Sequence, residues 1–275
     1  MEKKSILITG CSSGIGYYCA KALKNDGYRV FATARKEDDV SKLRKEGFET
    51  SLLDLNNPKS IQNALDEILK KTDGKLDALF NNGAYGQPGA VEDLNIQTLK
   101  EQFETNVFGT HYLTVEVLKV MRKQGYGRVV QNSSVLGFVS LRFRGAYNAS
   151  KYALEGLSDT LRLELQGTNI FVSLIEPGPV RSKFRENALH KFEENIDMKN
   201  SYFKDEYKDK LKALESTEDV PFTLGEESVY KVLKDAIESK KPKARYRVTK
   251  PTTMFWFLKR VLSTNILDKI LRKVD

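Results

Sequence analysis

Residues 9–16 read Thr-Gly-Cys-Ser-Ser-Gly-Ile-Gly, and this stretch decides the fold of the chain. It follows an apolar run at residues 5–9 and opens a helical pattern. A glycine-rich turn between strand and helix lets a dinucleotide pyrophosphate approach the backbone and the free N–H groups of the helix start. We predict that Gly10 forms the tight turn, that Gly14 meets the pyrophosphate and that Gly16 lets the helix pack near the sheet. The predicted contacts in this turn are Gly10, Ser12, Ser13, Gly14, Ile15 and Gly16.

Apolar runs alternate with helical patterns along the chain, which is typical of βαβ units in a parallel sheet. The run Ile6-Leu7-Ile8 is continuously apolar, as expected of a strand that is buried on both faces. We predict an α/β fold: a doubly wound parallel sheet, or Rossmann fold, of about seven strands with helices on both faces, in a single domain over residues 1–275. The predicted strands are residues 5–9, 29–34, 50–53, 76–80, 127–131, 170–175 and 245–248, and the predicted helices are 14–25, 96–122 and 146–165, with others near Val40 and after Pro58.

Residues 179–221 break this alternation, because they are polar and rich in Lys and Glu with scattered aromatic residues. Ligands of open α/β sheets bind outside the carboxyl ends of the strands. We therefore predict that this segment is a helical lid over the substrate.

The charge of the chain is unevenly placed. The net charge is +8, and residues from 231 onward contain 13 Lys or Arg against 4 Asp or Glu. A solvated basic rim is the preferred interpretation, contact with anionic lipid is second, and no nucleic-acid partner is predicted. The two cysteines and two histidines form no metal-binding or disulfide pattern, and the amino-terminal residues do not resemble a signal peptide. We expect reduced thiols, no metal and a cytoplasmic protein.

Residues 251–275 carry apolar side chains at three- and four-residue spacing with Lys and Arg between them, which predicts one basic amphipathic helix. Two interpretations stay open. The favoured one packs the helix on its own domain or on a subunit partner; the other places it at a membrane surface, because Phe255, Trp256 and Phe257 adjoin the basic face. The charges are too closely spaced for a transmembrane span.

The second predicted strand ends in Ala34-Arg35-Lys36, where an acidic residue would bind the ribose hydroxyls of NAD. Arg35 can instead clamp a 2′-phosphate, so NADP is favoured over NAD. A plain surface arginine is the alternative. Asp54 and Leu55, after the third strand, are candidates for contact with the adenine, although an Asp at a strand end is also a common helix cap.

Tyr147 and Lys151 are four residues apart at the start of a predicted helix, so they lie on one face. A tyrosine with a pKa of about 10 is a poor base at neutral pH, but a neighbouring ammonium group and an oxidised nicotinamide both favour the phenolate. Ser134 follows a strand and can hold a substrate oxygen against Tyr147. Asn106 is either the orienter of a water that feeds protons to Lys151 or a buried structural amide. These residues predict hydride transfer with Tyr147 as general acid/base.

The chain resembles the classical short-chain dehydrogenases/reductases over about its first 185 residues. The resemblance implies that Asn106, Ser134, Tyr147 and Lys151 form a catalytic tetrad, with Tyr147 and Lys151 also touching the cofactor. It further implies a homodimer or homotetramer. The motifs that carry it are the glycine-rich turn, Asp54, Asn81-Asn82-Gly83-Ala84, Asn106, Ser134, Tyr147 with Lys151, and Pro177-Gly178-Pro179-Val180. The remaining implied cofactor contacts are Asn82, Gly83 and Ala84 on the adenosine side and Pro177, Gly178, Val180 and Ser182 around the nicotinamide carboxamide.

Two departures from the family pattern are conservative: Asn-Asn-Gly-Ala replaces Asn-Asn-Ala-Gly, and Ser182 replaces a threonine. Within the family, the chain is similar to NADP-preferring bacterial aldehyde or ketone reductases related to 17β-hydroxysteroid and retinol dehydrogenases. That similarity implies a lipophilic carbonyl or alcohol substrate, for which apolar side chains between residues 138 and 143 are candidate pocket walls. The alternatives are a noncatalytic NADP-sensing regulator and an epimerase or dehydratase.

Overall fold

A computed structural model describes residues 3–216 and 218–274. Within that part of the chain, seven parallel strands form one sheet in the order β3-β2-β1-β4-β5-β6-β7. The predicted doubly wound parallel sheet is confirmed, and the observed strand ends differ from the predicted ones by at most two residues. The strands are β1 (Ser5–Ile8), β2 (Arg29–Ala34), β3 (Glu49–Leu52), β4 (Ala78–Asn81), β5 (Gly127–Asn132), β6 (Ile170–Glu176) and β7 (Arg245–Arg247).

Helices cover both faces of the sheet. Because alternate side chains of a strand point to opposite faces, Ile6 and Ile8 enter one core together with Leu23 and Leu233. Leu7 enters the core on the other face, together with Ile61 and Leu113. The strand order reverses between β1 and β4, so the carboxyl ends of those strands border a crevice. The helices are α1 (Gly14–Asn25), α2 (Glu37–Lys45), α3 (Pro58–Lys71), α4 (Ile96–Phe103), α5 (Thr110–Gln124), α6 (Gly145–Glu164), α7 (Phe184–Asn195), α8 (Lys204–Glu215), α9 (Glu227–Glu238), α10 (Lys250–Val261) and α11 (Thr264–Leu271).

The stretch predicted as one long helix over residues 96–122 is interrupted. Residues Glu104–Gly109, between α4 and α5, form a π-helical turn that contains Asn106. Such turns insert extra residues into a helix and often occur at functional sites.

The segment predicted as a helical lid, residues 179–221, does form α7 and α8. Their apolar side chains Phe192 and Tyr207 pack with Ala90 and Phe143, which lie in loops beyond the carboxyl ends of the strands. The hydroxyl of Tyr207 bonds to Asp93 and accepts the backbone N–H of Ala90 at 2.7 Å. This segment is therefore anchored over the crevice end of the sheet.

The prediction of one carboxyl-terminal helix over residues 251–275 is wrong, because α10 and α11 are separate helices. Leu262 and Ser263 adopt extended backbone between them, with ψ angles of 146° and 155°. The break lets Leu267 and Leu271 of α11 fold back onto the same apolar cluster as Phe255 of α10, whereas a straight helix would carry them away from it. None of the helices in the described residues combines the length and the hydrophobicity that a membrane span requires.

Candidate active site

The glycine-rich turn has the shape that a dinucleotide pyrophosphate needs. Gly10 and Gly14 have φ angles of +70° and +55°, in the left-handed region that favours glycine. A Cβ atom on Gly16 would lie 2.3 Å from the carbonyl oxygen of Gly10, so α1 approaches the turn too closely for any side chain. Ser13 is the N-cap residue of α1, and its side chain makes no hydrogen bond to the helix. The Ser13 hydroxyl therefore does not compete with an anion for the first backbone N–H groups of α1. The turn therefore fits the anion for which it was predicted.

The amide of Asn82 fastens this turn to the neighbouring strand. Its Nδ2 donates to the carbonyl oxygens of Thr9 and Gly10 at 3.0 and 3.3 Å. The hydroxyl of Thr9 in turn accepts the backbone N–H groups of Asn82 and Gly83 at 3.0 and 2.8 Å. The predicted adenosine-side residues and the turn therefore form one rigid unit.

Asn132, at the end of β5, extends that unit to the predicted chemistry. Its Nδ2 donates to Oδ1 of Asn82 at 2.9 Å, and its carbonyl oxygen accepts from Nζ of Lys151 at 2.7 Å. Sequence reasoning missed this residue, although its place two positions before Ser134 at a strand's carboxyl end was a usable signal. It links the turn at Gly10 to Lys151 through two side-chain amides.

The other predicted cofactor residues surround the same crevice. Arg35 is exposed at the end of β2. Leu55 is buried near Gly83, whose added Cβ would lie 3.3 Å from its Cδ1. Ser182 lies against the turn, since a Cβ on Gly14 would come within 3.0 Å of the Ser182 Cβ. Ile15 is partly buried and packs against the core beneath the turn.

Three further residues predicted to contact the cofactor are held by neighbouring elements. The carbonyl oxygen of Pro177 accepts the N–H of Val135, and a Cβ on Gly178 would lie 2.2 Å from Oγ1 of Thr249, just before α10. Val180 pairs with Leu224 in a short β-bridge. Ala84 follows Gly83 in the loop after β4, and the exposed Ser12 lies in the glycine-rich turn.

Asp54 does not cap the following helix, as its alternative interpretation proposed. Its Oδ1 accepts the N–H of Asn56 at 3.0 Å, in a local turn, whereas Asn57 caps α3 by accepting from Lys59 and Ser60.

Tyr147, in the first turn of α6, is buried, and the Ser134 hydroxyl is one of the polar groups that act on its own hydroxyl. Burial raises the pKa of Tyr147 to about 12, and the Ser134 bond and the charge of Arg144 oppose that rise. Desolvation outweighs these two opposing effects. At neutral pH the phenol therefore keeps its proton.

Lys151 lies one turn further along α6, with Nζ 5.6 Å from the centre of the Tyr147 ring. Burial lowers the pKa of this ammonium to about 8, against the opposing effect of the Glu155 carboxylate. Lys151 is therefore mostly protonated at pH 7 and loses its proton about one unit higher.

Asn106 uses its whole side-chain amide in contacts with the protein. Its Nδ2 donates to the carbonyl oxygen of Tyr85 at 2.9 Å and to Oγ of Ser150 at 3.1 Å, and its Oδ1 accepts the N–H of Tyr85 at 3.2 Å. Ser150 bonds in turn to the carbonyl oxygen of Tyr147. This arrangement supports the structural interpretation, in which Asn106 braces the loop after β4 against α6.

The apolar side chains between Ser134 and Tyr147 do not line one pocket. Phe138, Val139 and Leu141 pack against α10 and α11, whereas Phe143 packs against the α7–α8 segment. Phe143 has a φ of +56°, and this strained backbone turns its side chain away from the others.

The aromatic residue that does meet Tyr147 is Phe184, at the start of α7. The two ring centres are 5.1 Å apart. A Cβ on Gly86 would lie 2.4 Å from the Phe184 ring, so the ring is wedged between that loop and Tyr147. Sequence reasoning placed the lid here but did not single out this residue.

Comparison with known proteins identifies the family. The model of the short chain dehydrogenase family matches residues 4–192, which contain the glycine-rich turn, Ser134, Tyr147 and Lys151. The chain belongs to the short-chain dehydrogenase family. It is therefore an oxidoreductase that uses a nicotinamide cofactor. Within the described residues no group of three His, Cys, Asp or Glu side chains is arranged to hold a metal ion.

Short-chain dehydrogenases similar to this chain include one that it matches over nearly its whole length. The uncharacterised oxidoreductase YbbO of Escherichia coli (strain K12) is 42% identical over 270 residues, which are 98% of this chain and 94% of that protein. Retinol dehydrogenase 8 of Bos taurus is 33% identical over 261 residues, 89% of this chain and 81% of that protein. A crystal structure of an actinorhodin polyketide ketoreductase variant with NADPH superposes with a TM-score of 0.72 at 26% identity, covering 90% of this chain and 95% of that one.

Proposed function

We propose that this short-chain dehydrogenase reduces a lipophilic aldehyde or ketone with NADPH, and that Tyr147 donates the proton. The observation that carries the proposal is the buried group of Ser134, Tyr147 and Lys151, joined through Asn132 to the glycine-rich turn. A protein that only sensed the cofactor would gain nothing from a buried proton donor beside it.

In this mechanism the nicotinamide, when bound, supplies the hydride. The Ser134 hydroxyl donates a hydrogen bond to the substrate carbonyl oxygen and keeps it beside Tyr147. The Tyr147 hydroxyl gives its proton to that oxygen, so a carbonyl becomes an alcohol and a phenolate remains. The Lys151 ammonium stabilises the phenolate until a proton from solvent restores it.

Selection of NADP rests on Arg35. The second strand ends in Arg35-Lys36 with no carboxylate to bind ribose hydroxyls, and the exposed guanidinium makes no ion pair within the part of the chain that the structure describes. A charge-assisted bond to a 2′-phosphate contributes about 1.5–3 kcal/mol, which corresponds to roughly 10- to 100-fold in affinity. We expect Arg35→Ser to weaken NADPH binding by that factor and to leave NADH binding unchanged. Arg122→Ser, at an exposed site on α5, is the matched control.

A lipophilic substrate is favoured by the Phe184 ring, which gives Tyr147 an apolar neighbour 5.1 Å away. The similarity to a retinol dehydrogenase supports the same substrate class. The test follows NADPH absorbance with a panel of long-chain aldehydes, retinal and steroid ketones, and compares each with a short, water-soluble carbonyl. The proposal predicts higher kcat/KM for the lipophilic compounds. Tight NADPH binding without turnover of any carbonyl would contradict it.

A further inference from the structure

The two carboxyl-terminal helices have an apolar face that the rest of the described chain does not cover. Met254, Phe257 and Val261 follow one another along a single stripe of α10 and are 48%, 57% and 56% exposed. Ile266 of α11 is 50% exposed. The opposite, inner face of the two helices is already covered by the protein, because Phe255 is buried against the loop that follows Ser134. We call the outer face of α10 and α11 the tail surface.

The tail surface is also strongly cationic. Residues 250–274 contain six Lys or Arg and one Asp. In residues 3–216 and 218–274, none of those six cations has a carboxylate oxygen within 4.0 Å, whereas ion pairs are frequent on the other helices. Lys259 and Arg260 bond to neutral oxygen atoms of the protein, so their charges too remain without a carboxylate partner in the described residues.

Trp256 lies at the edge of this surface between two guanidinium groups. Arg247 is 4.1 Å and Arg260 is 3.9 Å from its ring centre. Tryptophan beside basic side chains suits the headgroup level of a membrane, where its ring is partly apolar and partly hydrated.

We propose that the tail surface docks on an anionic phospholipid bilayer, with α10 and α11 lying in the plane of the headgroups. An anionic bilayer attracts a surface that combines an exposed apolar stripe with basic residues that no carboxylate neutralises. A second copy of the chain fits less well, because a two-fold contact would bring the same cationic face against itself. Neither helix is long enough to enter further than the interface.

The helices that carry the tail surface pack, through their inner faces, beside the loop that follows Ser134, and the purpose of the docking rests on the proposed function. The inner residues of α10 and α11 pack on Val139, five positions after Ser134. Gly178 touches Thr249 at the start of α10. Docking would therefore hold the crevice close to a bilayer in which a lipophilic carbonyl is dissolved.

The chain carries its own probe for this proposal, because Trp256 is its only tryptophan. The full-length protein is mixed with vesicles of phosphatidylcholine with phosphatidylserine, or of phosphatidylcholine alone, at low ionic strength. We expect a blue shift of the emission and co-sedimentation with the anionic vesicles, both reduced by added salt. Quenching by brominated lipid measures the depth of the indole.

Two variants separate the apolar and the electrostatic parts. Phe257→Gln is expected to weaken vesicle binding about five- to tenfold, because the ring loses its burial in the interface. Lys269→Gln with Lys273→Gln is expected to weaken it by about fivefold per residue. The matched controls are Ile96→Gln, which removes another exposed apolar side chain, and Lys45→Gln with Lys70→Gln, which removes the same charge elsewhere.

Three results would overturn the proposal: no spectral shift or co-sedimentation at low ionic strength, equal losses in the control variants, or self-association in sedimentation velocity that Phe257→Gln abolishes. The last result would show that a second copy covers the surface. Turnover of a water-soluble carbonyl is measured in parallel without vesicles. Vesicle binding without turnover would remove the proposed function alone, and turnover without vesicle binding would remove the docking alone.

Discussion

Replacement of Gly16 by alanine tests the glycine-rich turn most sharply, because the chain provides a matched control. Gly16 in α1 and Gly156 in α6 are both helical, so both substitutions gain about 0.5–1 kcal/mol from the better helix propensity of alanine. Their surroundings differ. A Cβ on Gly16 would lie 2.3 Å from the Gly10 oxygen and 2.6 Å from Nδ2 of Asn82, whereas a Cβ on Gly156 meets nothing within 4 Å.

The magnitude follows from these distances. Over-packing at a tight contact costs about 1–3 kcal/mol. Displacement of the Asn82 amide weakens its bonds to Thr9 and Gly10, which costs about 1 kcal/mol more. After the gain in propensity, Gly16→Ala is expected to lose about 1–3 kcal/mol of stability. At about 2–4 °C per kcal/mol, its Tm falls by roughly 2–12 °C, while that of Gly156→Ala rises by about 1–4 °C.

Calorimetry of the wild type and both variants measures this difference, and fluorescence titration with NADPH measures its effect on the cofactor. The pyrophosphate cradle shifts in Gly16→Ala, so we expect NADPH affinity to fall at least about tenfold. Gly156→Ala is expected to bind as the wild type does. The reasoning is refuted if Gly16→Ala melts at or above the wild-type temperature and binds NADPH with unchanged affinity.

Three further outcomes are expected. The rate of carbonyl reduction should fall as the pH rises through about 8, because Lys151 then loses the charge that stabilises the Tyr147 phenolate. Lys151→Met should remove this inflection from the pH profile of kcat. If the inflection stays in that variant, another group causes it. Asn132→Ala should weaken NADPH binding several-fold with little change in kcat, because the side-chain bond to Asn82 is lost while the backbone bond to Lys151 remains. A decrease in kcat with unchanged NADPH binding would contradict this prediction. Phe184→Ala should raise KM for lipophilic carbonyls more than for short ones, and an equal rise for both would place Phe184 outside the substrate path.

Much of the fold could be predicted because the core repeats a simple pattern. Strands that are buried on both faces are apolar throughout. The run Ile6-Leu7-Ile8 therefore predicts a central strand even when the neighbouring strands are not known. The turn after it was equally readable, since positive φ angles at Gly10 and Gly14 require glycine. Tyr147 and Lys151 were predicted as neighbours because helical spacing alone brings them together.

The features of the fold and the site that could not be predicted depend on contacts between distant segments of the chain. Asn132 is polar at a strand end, but its role comes from Asn82, fifty residues away. The π-helical turn at Asn106 has no periodic pattern in the sequence, because it depends on hydrogen bonds from the Asn106 side chain to Tyr85 and Ser150. The break at Leu262 reflects the apolar cluster around Val139, which helical spacing within residues 251–275 cannot reveal. Burial likewise sets the pKa of Tyr147, and burial is a property of the folded chain.

The central claim is that Tyr147 donates the proton, and Tyr147→Phe tests it most directly. Tyr152→Phe, on the same helix, is the control variant. Tyr152 is 38% exposed, and its hydroxyl accepts a hydrogen bond from Lys259 outside the proposed catalytic group. With any carbonyl that the wild type reduces, we expect Tyr147→Phe to lose at least about 100-fold in kcat while binding NADPH normally, and Tyr152→Phe to keep its activity. Reduction by Tyr147→Phe at the wild-type rate would contradict the assignment.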